Sequence, residues 1–252
     1  MGMKAEQPEC KYVIGDVRDL FALNRAIEGQ ELIYHLAALK HVDICENQSH
    51  EAVKTNVEAV MNVIEACRMQ GARLINMSSD KAASPNNVYA LTKRLSEQLC
   101  NEYGFTTLRS GNVIGSSGSF IPKMIQSIKE TNTVNLTDKS MTRFFVTVDQ
   151  ITDILMNLTE PGLFIPLMKS FYIKDIVNAL IRKYACNPKT VINVTGIRPG
   201  ERINEALHNS EERVISYRNY YMILKRDKYE SLPLTSDDFI GTHKEMLEMF
   251  DL

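Results

Sequence analysis

No run of apolar residues in this 252-residue chain approaches the ~18 needed to cross a bilayer as a helix, and no cationic stretch leading into an apolar core opens it. The expectation is a chain without membrane span or secretory leader, working in the cytoplasm. An excess of either charge is also lacking: 29 Lys and Arg stand against 31 Asp and Glu, so no general basic field exists to hold nucleic acid or anionic lipid. Any anionic ligand must be held by local groups. Cysteine is sparse, and Cys10, Cys45, Cys67, Cys100 and Cys186 are odd in number, far apart and without a C-x-x-C pair. Neither they nor the five histidines show metal-ligand spacing, so no metal is expected. With 44% hydrophobic and 24% charged residues, disorder is excluded as well.

What is there is an alternation of short β-rich runs with helical patterns, the signature of a parallel sheet covered by helices. Lys11–Ile14, Glu31–His35, Arg73–Ser78 and Phe105–Arg109 read as strands. Helices are predicted from about Asp19 to Glu28, from Ser49 to Gly71 and from Asn87 to Tyr103. In the second of these, Val53, Val57, Val60, Ile64 and Cys67 recur as one buried stripe. Beyond Gly111, Gly115 and Gly118 the layout becomes mixed, with helices near 120–130, 149–158 and 173–184 and strands near 144–147, 164–166 and 190–194. The expected fold is α/β, a Rossmann-like doubly wound parallel sheet over residues 1–118 with a smaller mixed lobe over residues 119–252, the two interleaved.

The most informative stretch is Ser78 to Lys93, SSDKAASPNNVYALTK, which starts at the end of a predicted parallel strand and finishes in a helix. Open α/β sheets place their chemistry at that strand end. Tyr89 and Lys93, spaced i and i+4, share one helical face, where an ammonium would favour the phenolate. A tyrosine tuned in this way can take a proton from a sugar hydroxyl while hydride leaves the same carbon. Asp80 and Lys81 supply an acid and a potential base beside it, as proton shuttling requires.

This stretch resembles the active-site segment of extended short-chain dehydrogenase/reductases, and most closely that of the C5-inverting UDP-N-acetylglucosamine 4,6-dehydratases. The segments GDVRD (15–19), HLAALKHV (35–42), KTNV (54–57), GNVIGSSGSFIP (111–122), MTRFF (141–145) and GIRPGE (196–201) agree in order along nearly the whole chain. The resemblance implies an NADP-dependent lyase acting on a UDP-amino sugar for polysaccharide or glycan biosynthesis, self-associating and cytoplasmic. It implies Tyr89 and Lys93 at the C4 oxidation, with Asp80 and Lys81 sharing proton removal at C5 and protonation of the departing C6 hydroxyl. It places Asp16 and Val17 at the adenine, with Ala37, Ala38, Lys40 and Asn56 along the cofactor cleft beside Tyr89 and Lys93. The UDP-sugar would meet Lys81, Asn112, Arg143, Arg198 and Glu201, arginine suiting a diphosphate through its permanently charged fork. Departures are Ser79 for the usual Thr, Ala90 for Gly, Ser110 for Tyr and Ser117 for Arg, the last two at the substrate cleft.

The glycine-rich strand–turn–helix that receives a pyrophosphate in such folds is not found, since Gly2 is the one glycine before Gly15. The expectation is therefore a truncated dehydratase homologue that binds NADP poorly by itself. A gene fragment, an inactive paralogue with a differently closed sheet and a split enzyme completed by another chain all fit the missing segment. A non-catalytic UDP-sugar-binding subunit and a nucleotide-sugar 4-epimerase stand as alternatives. The epimerase shares Tyr89 and Lys93 but has no use for Asp80 and Lys81.

Overall fold

The first helix begins where a carboxylate can satisfy free amides. In the computed structural model, which describes residues 10–116, 119–185, 190–218, 220–225 and 234–251, the Asp19 side chain accepts from the N–H groups of Phe21 and Ala22 and caps α1 (Leu20–Ile27). β1 (Leu32–His35) follows, then α2 (Val42–Asn47), α3 (Ser49–Val53), a π-helical turn (Lys54–Glu58) and α4 (Ala59–Gln70). The single helix expected between Ser49 and Gly71 is thus interrupted by a wider turn. Val57, Val60, Ile64 and Cys67 stay on its buried face, while Val53 is rotated into solvent. Gly71 closes α4 with a left-handed φ of 68°.

β2 (Arg73–Ser79) runs into a 3₁₀ turn (Asp80–Ala83), and Asn87 caps α5 (Val88–Glu102) by accepting from the Ala90 N–H at 2.8 Å. β3 (Thr106–Ser110), β4 (Asn112–Val113), α6 (Phe120–Thr131), β5 (Thr133–Leu136), β6 (Thr142–Val146), α7 (Val148–Asn157), β7 (Gly162–Pro166) and β8 (Lys169–Tyr172) come next. The described elements end with α8 (Ile173–Tyr184), β9 (Val191–Val194), β10 (Glu212–Tyr217), β11 (Tyr220–Lys225) and α9 (His243–Phe250). The main sheet has the order β1-β2-β3-β7-β11-β10. Its first four strands are parallel, and the β10–β11 hairpin closes it antiparallel. β4, β6 and β8 form a second sheet and β5 with β9 a third.

Alternation along β2 explains the two layers. Leu74 packs with Val60, Val63, Ile64 and Cys67 of α4 on one face, whereas Ile75 joins Leu108, Phe164, Leu155 and Leu158 on the other. A third cluster of Ile128, Val134, Phe145, Phe171, Ile176 and Leu180 builds the region around α6 and α8.

One expected strand does not form: Lys11–Ile14 has no ladder partner among the described residues, and Val13 and Ile14 project into solvent. A β-rich run becomes a strand only beside a neighbour that takes its amides, and among the described residues β1 pairs with β2 alone. Cys45, Cys67 and Cys100 are buried free thiols and Cys10 is exposed, while Cys186, Ser117 and Gly118 lie outside the described residues. No described helix is long and apolar enough to cross a membrane.

Polar chemistry at the centre of this sheet is concentrated on Arg109. It is fully buried on β3, and its five N–H donors are all engaged by Glu97 of α5, Glu212 of β10 and the carbonyl of Leu207, at 2.6–2.9 Å. Arg94 adds ion pairs to both glutamates, and Ser78 Oγ donates to Glu97 at 2.7 Å. Burial alone would raise the pKa of Glu212, but the hydrogen bond and charge of Arg109, with Arg94, hold it down at about 2. Arg109→Met should cost roughly 3–5 kcal/mol in urea unfolding, because it strands two buried carboxylates. The Glu212 contribution, of order 3 kcal/mol for a pKa near 4.3 when unfolded, is present above that pH and disappears as pH falls toward 2. The acid limb of the stability curve should accordingly flatten in Glu212→Gln.

Candidate active site

The C-terminal ends of β2 and β3, the start of α5 and the 198–205 segment enclose a cleft of about 890 Å³, in the size range of small-ligand sites. Gly111 lets β3 and β4 approach β6 there, since a Cβ would sit 2.6 Å from Phe144 Cβ and 2.8 Å from its carbonyl oxygen. Gly200, with φ of 79°, brings its carbonyl 2.9 Å from Asn87 Nδ2, tying the 198–205 segment to the start of α5.

Asp80, Lys81, Tyr89 and Lys93 all line this cleft. Asp80 is buried; its Oδ1 accepts from Ser79 Oγ, the Lys81 N–H and Lys81 Nζ at 3.0, 2.9 and 3.1 Å. Its Oδ2 is buried with no hydrogen-bond partner among the described residues. Burial would drive the Lys81 amine toward neutrality, but the charges of Asp80 and Glu205 reverse this and hold its pKa above the ordinary lysine value.

The expectation that a neighbouring ammonium depresses Tyr89 is corrected here. Burial raises the Tyr89 pKa, with Asp80 adding to the rise; Lys81 and a hydrogen bond with Ser79 oppose it without overcoming it. The Lys93 ammonium instead donates to the Met77 carbonyl on β2. Burial lowers the pKa of Lys93 to about 8, Glu97 offsetting part of the shift. Lys93 is thus mainly charged at neutral pH at a cost in folding free energy.

Of the positions expected at the cofactor, Ala38 and Lys40 line the cleft with Tyr89 and Lys93, whereas Asp16, Val17, Ala37 and Asn56 do not. Asp16 is exposed, and hydrogen bonds from Arg18 hold its carboxyl at about 2. Asn56 is buried; it accepts from the Leu39 N–H at 2.8 Å and donates to the Leu39 carbonyl at 2.9 Å and to Thr92 Oγ1 at 3.0 Å. Its geometry therefore shapes the loop after β1 and links it to α5. The substrate-side positions Asn112, Arg143, Arg198 and Glu201 do meet in the cleft. Asn112 donates to the Phe144 carbonyl at 3.1 Å, and Arg198, 70% exposed, pairs with Glu201 at 3.4 Å. Arg143 is buried, and its terminal nitrogens donate to the carbonyls of Thr142, Ile203 and Arg202. Ser110 also lines the cleft.

Sequence reasoning missed Glu205, whose Oε1 lies 3.4 Å from Lys81 Nζ and 3.6 Å from Arg143 Nε. The one signal for it was a carboxylate four residues past Glu201, which spacing alone does not direct at anything. Two of the histidines are held in the interior, whereas His41 lines the cleft. His35 is held neutral, burial and Lys93 lowering it to about 4, and His208 Nε2 accepts from the Leu234 N–H.

Solved structures share this architecture. Pen from Bacillus thuringiensis superposes with a TM-score of 0.89 at 30% identity, over 98% of this chain and 84% of that one. DesIV, a dTDP-glucose 4,6-dehydratase from Streptomyces venezuelae with NAD bound, gives 0.70 at 21% identity over 78% and 70%. Fold and cleft define a Rossmann-like enzyme of the short-chain dehydrogenase/reductase class, in its nucleotide-sugar dehydratase and epimerase branch. The chain belongs to the family described as polysaccharide biosynthesis protein, whose model matches residues 2–225. It is 35% identical to a UDP-N-acetylglucosamine 4,6-dehydratase (inverting) of Campylobacter jejuni over 88% of this chain and 70% of that protein. It is 34% identical to a UDP-glucose 4-epimerase of Rickettsia bellii over the same shares.

Lys93→Met should not lower stability at pH 7. A lysine with its folded pKa depressed destabilises the native state while charged, so unfolding free energy should rise by about 1–2 kcal/mol at pH 7. That gain should shrink as pH rises above about 8, where wild-type Lys93 is already neutral. Denaturant melts at pH 7 and 9.5 measure both.

Proposed function

We propose that this chain carries the active site of a C5-inverting UDP-N-acetylglucosamine 4,6-dehydratase that uses NADP. The observation that carries the reading is the buried Asp80–Lys81 pair, 3.1 Å apart and in one cleft with Tyr89. Ketone formation at C4 needs a single proton acceptor, whereas loss of water across C5 and C6 needs an acid and a base besides. A 4-epimerase, as in the Rickettsia relative, leaves the second pair without a task.

The cleft suits a dinucleotide at its nicotinamide end: Leu36 and Ala38 supply an apolar wall, and Lys40, Tyr89 and Lys93 the polar groups. When bound, the dinucleotide supplies the hydride acceptor at C4 and the hydride donor at C6. Tyr89 takes the C4 hydroxyl proton as its phenolate, the form that the Lys81 charge and the Ser79 hydrogen bond favour against burial, while Lys93 is anchored on the carbonyl of Met77. Lys81 removes the C5 proton made acidic by the adjacent ketone, and Asp80 protonates the C6 hydroxyl so that it leaves as water. Asn112, Arg143, Arg198 and Glu201 orient the UDP-sugar from the other side of the cleft. In this reading residues 1–118 hold mainly the cofactor and residues 119–252 mainly the substrate. Self-association and a cytoplasmic setting are supported by the family resemblance alone.

Incubation with UDP-N-acetylglucosamine and NADP in D₂O, followed by proton NMR, tests the proposal. The expected product is a 4-keto-6-deoxy sugar with one deuterium at C5. A C4 epimer without deuterium, or UDP-sugar binding with no dinucleotide binding by calorimetry, would overturn it. Parallel titration with NAD and NADP decides the dinucleotide. Asp80→Asn combined with Lys81→Met should reduce dehydration by on the order of 10²–10⁴-fold while UDP-sugar binding persists.

A further inference from the structure

Glu205 stands apart from the residues assigned above and yet is held as firmly as any of them. It is buried, and Ser236 fixes its main chain on both sides, Oγ accepting the Glu205 N–H at 3.0 Å and the Ser236 N–H donating to the Glu205 carbonyl at 2.8 Å. Ser236 Oγ is in turn 2.6 Å from Thr142 Oγ1 on β6. This frame delivers Oε1 to within 3.4 Å of Lys81 Nζ and 3.6 Å of Arg143 Nε.

The charged and titratable groups facing Lys81 are Asp80 from the 3₁₀ turn, Glu205 itself, Arg143 from β6 and Tyr89 from α5. Two carboxylates and two cations balance in a wall where none of the four side chains is more than 21% exposed. Arg143 cannot release its proton in a protein. Of the two cations, Lys81 is therefore the one whose charge can respond to a change in the number of carboxylates.

We propose that Glu205 is a positioning residue that holds Lys81 as an ammonium ion against Asp80 and so sets the pH at which its amine becomes available. The inference rests on the reading of Lys81 as the group that takes the C5 proton. Under it, Lys81 begins the elimination protonated and passes a proton to Asp80 across their 3.1 Å contact. The freed amine takes the C5 proton, the C5–H electron pair becomes the C5–C6 double bond, and the C6–O bond breaks. The C6 hydroxyl leaves as water with the proton from Asp80, so the ammonium and the carboxylate are both restored. Glu205 keeps the first transfer an unfavourable pre-equilibrium, and the free amine exists only transiently.

The test is a pH titration of the Lys81 Cε signal in the ¹³C-lysine-labelled full chain, assigned by its loss in Lys81→Met, for wild type, Glu205→Gln and Glu205→Asp. An opposite charge at this range shifts a pKa by about 1–3 units. Deprotonation of Lys81 should begin at least about one pH unit lower, a tenfold loss of proton affinity, in Glu205→Gln and stay with wild type in Glu205→Asp. Identical titrations of wild type and Glu205→Gln overturn the proposal. If Glu205→Gln does not fold, a wild-type midpoint at or below about 10.4, the ordinary lysine value, overturns it as well. The pH profile of deuterium entry at C5 separates the two readings. A Lys81 shift that the exchange profile does not follow keeps the role of Glu205 and removes Lys81 from the elimination.

Discussion

A guanidinium with no exposed surface, set in the third strand of a parallel sheet, can be tolerated only if every donor and the whole charge are answered. Arg109 meets that demand with Glu97, Glu212 and the Leu207 carbonyl. The glutamates come from distant parts of the chain: Glu97 rides on α5, while Glu212 opens the hairpin that closes the sheet. Folding of the late β10–β11 hairpin is thereby coupled to the placement of α5. Replacing the whole network by apolar residues would be electrostatically simpler, and its use of charge specifies which hairpin and which helix meet at β3.

The catalytic geometry hangs on the same helix. Glu97 lies one turn beyond Lys93, and Ser78 at the end of β2 hydrogen-bonds to Glu97, so the strand end bearing Ser79 and Asp80 and the helix bearing Tyr89 are fixed to one carboxylate. Lys93 reaches the Met77 carbonyl on that strand as well. Within the cleft, burial favours the neutral form of each titratable group. It makes Tyr89 a weaker acid and Lys93 a more readily neutral amine, while at Lys81 two carboxylates overturn the same effect. The shifts of Lys81, Tyr89 and Lys93 from their ordinary values are of the kind that cluster at functional sites.

Much of this was legible in the linear chain. Leu74 and Ile75 pack on opposite faces of β2, as their suitability for burial on both sides of a parallel sheet suggested, and the helix expected near 173–184 forms at Ile173–Tyr184. The 78–93 segment could be recognised because strand, turn and helix are contiguous, so local spacing already puts Asp80, Lys81, Tyr89 and Lys93 around one strand end. Lys11–Ile14 misled because strand propensity is a preference for a pleated neighbour, and the neighbour is set by topology. The short strands β4, β5 and β8 escaped notice for the converse reason, since each is defined by a partner distant in sequence.

The sequence by itself determined the layer plan and the gathering of Asp80, Lys81, Tyr89 and Lys93 at one strand end, because each of these depends on periodicity or on local spacing along the chain. Only the tertiary structure decided that Asn56 clamps the loop after β1, that the Arg143 fork is spent largely on main-chain carbonyls, and that Glu205 faces Lys81. Those outcomes turn on distances of 3–4 Å between groups 17 to 124 positions apart, and no local rule carries information across such gaps. The protonation states follow the same division: residue type sets the reference pKa, while burial and the charges gathered by the fold set its departure.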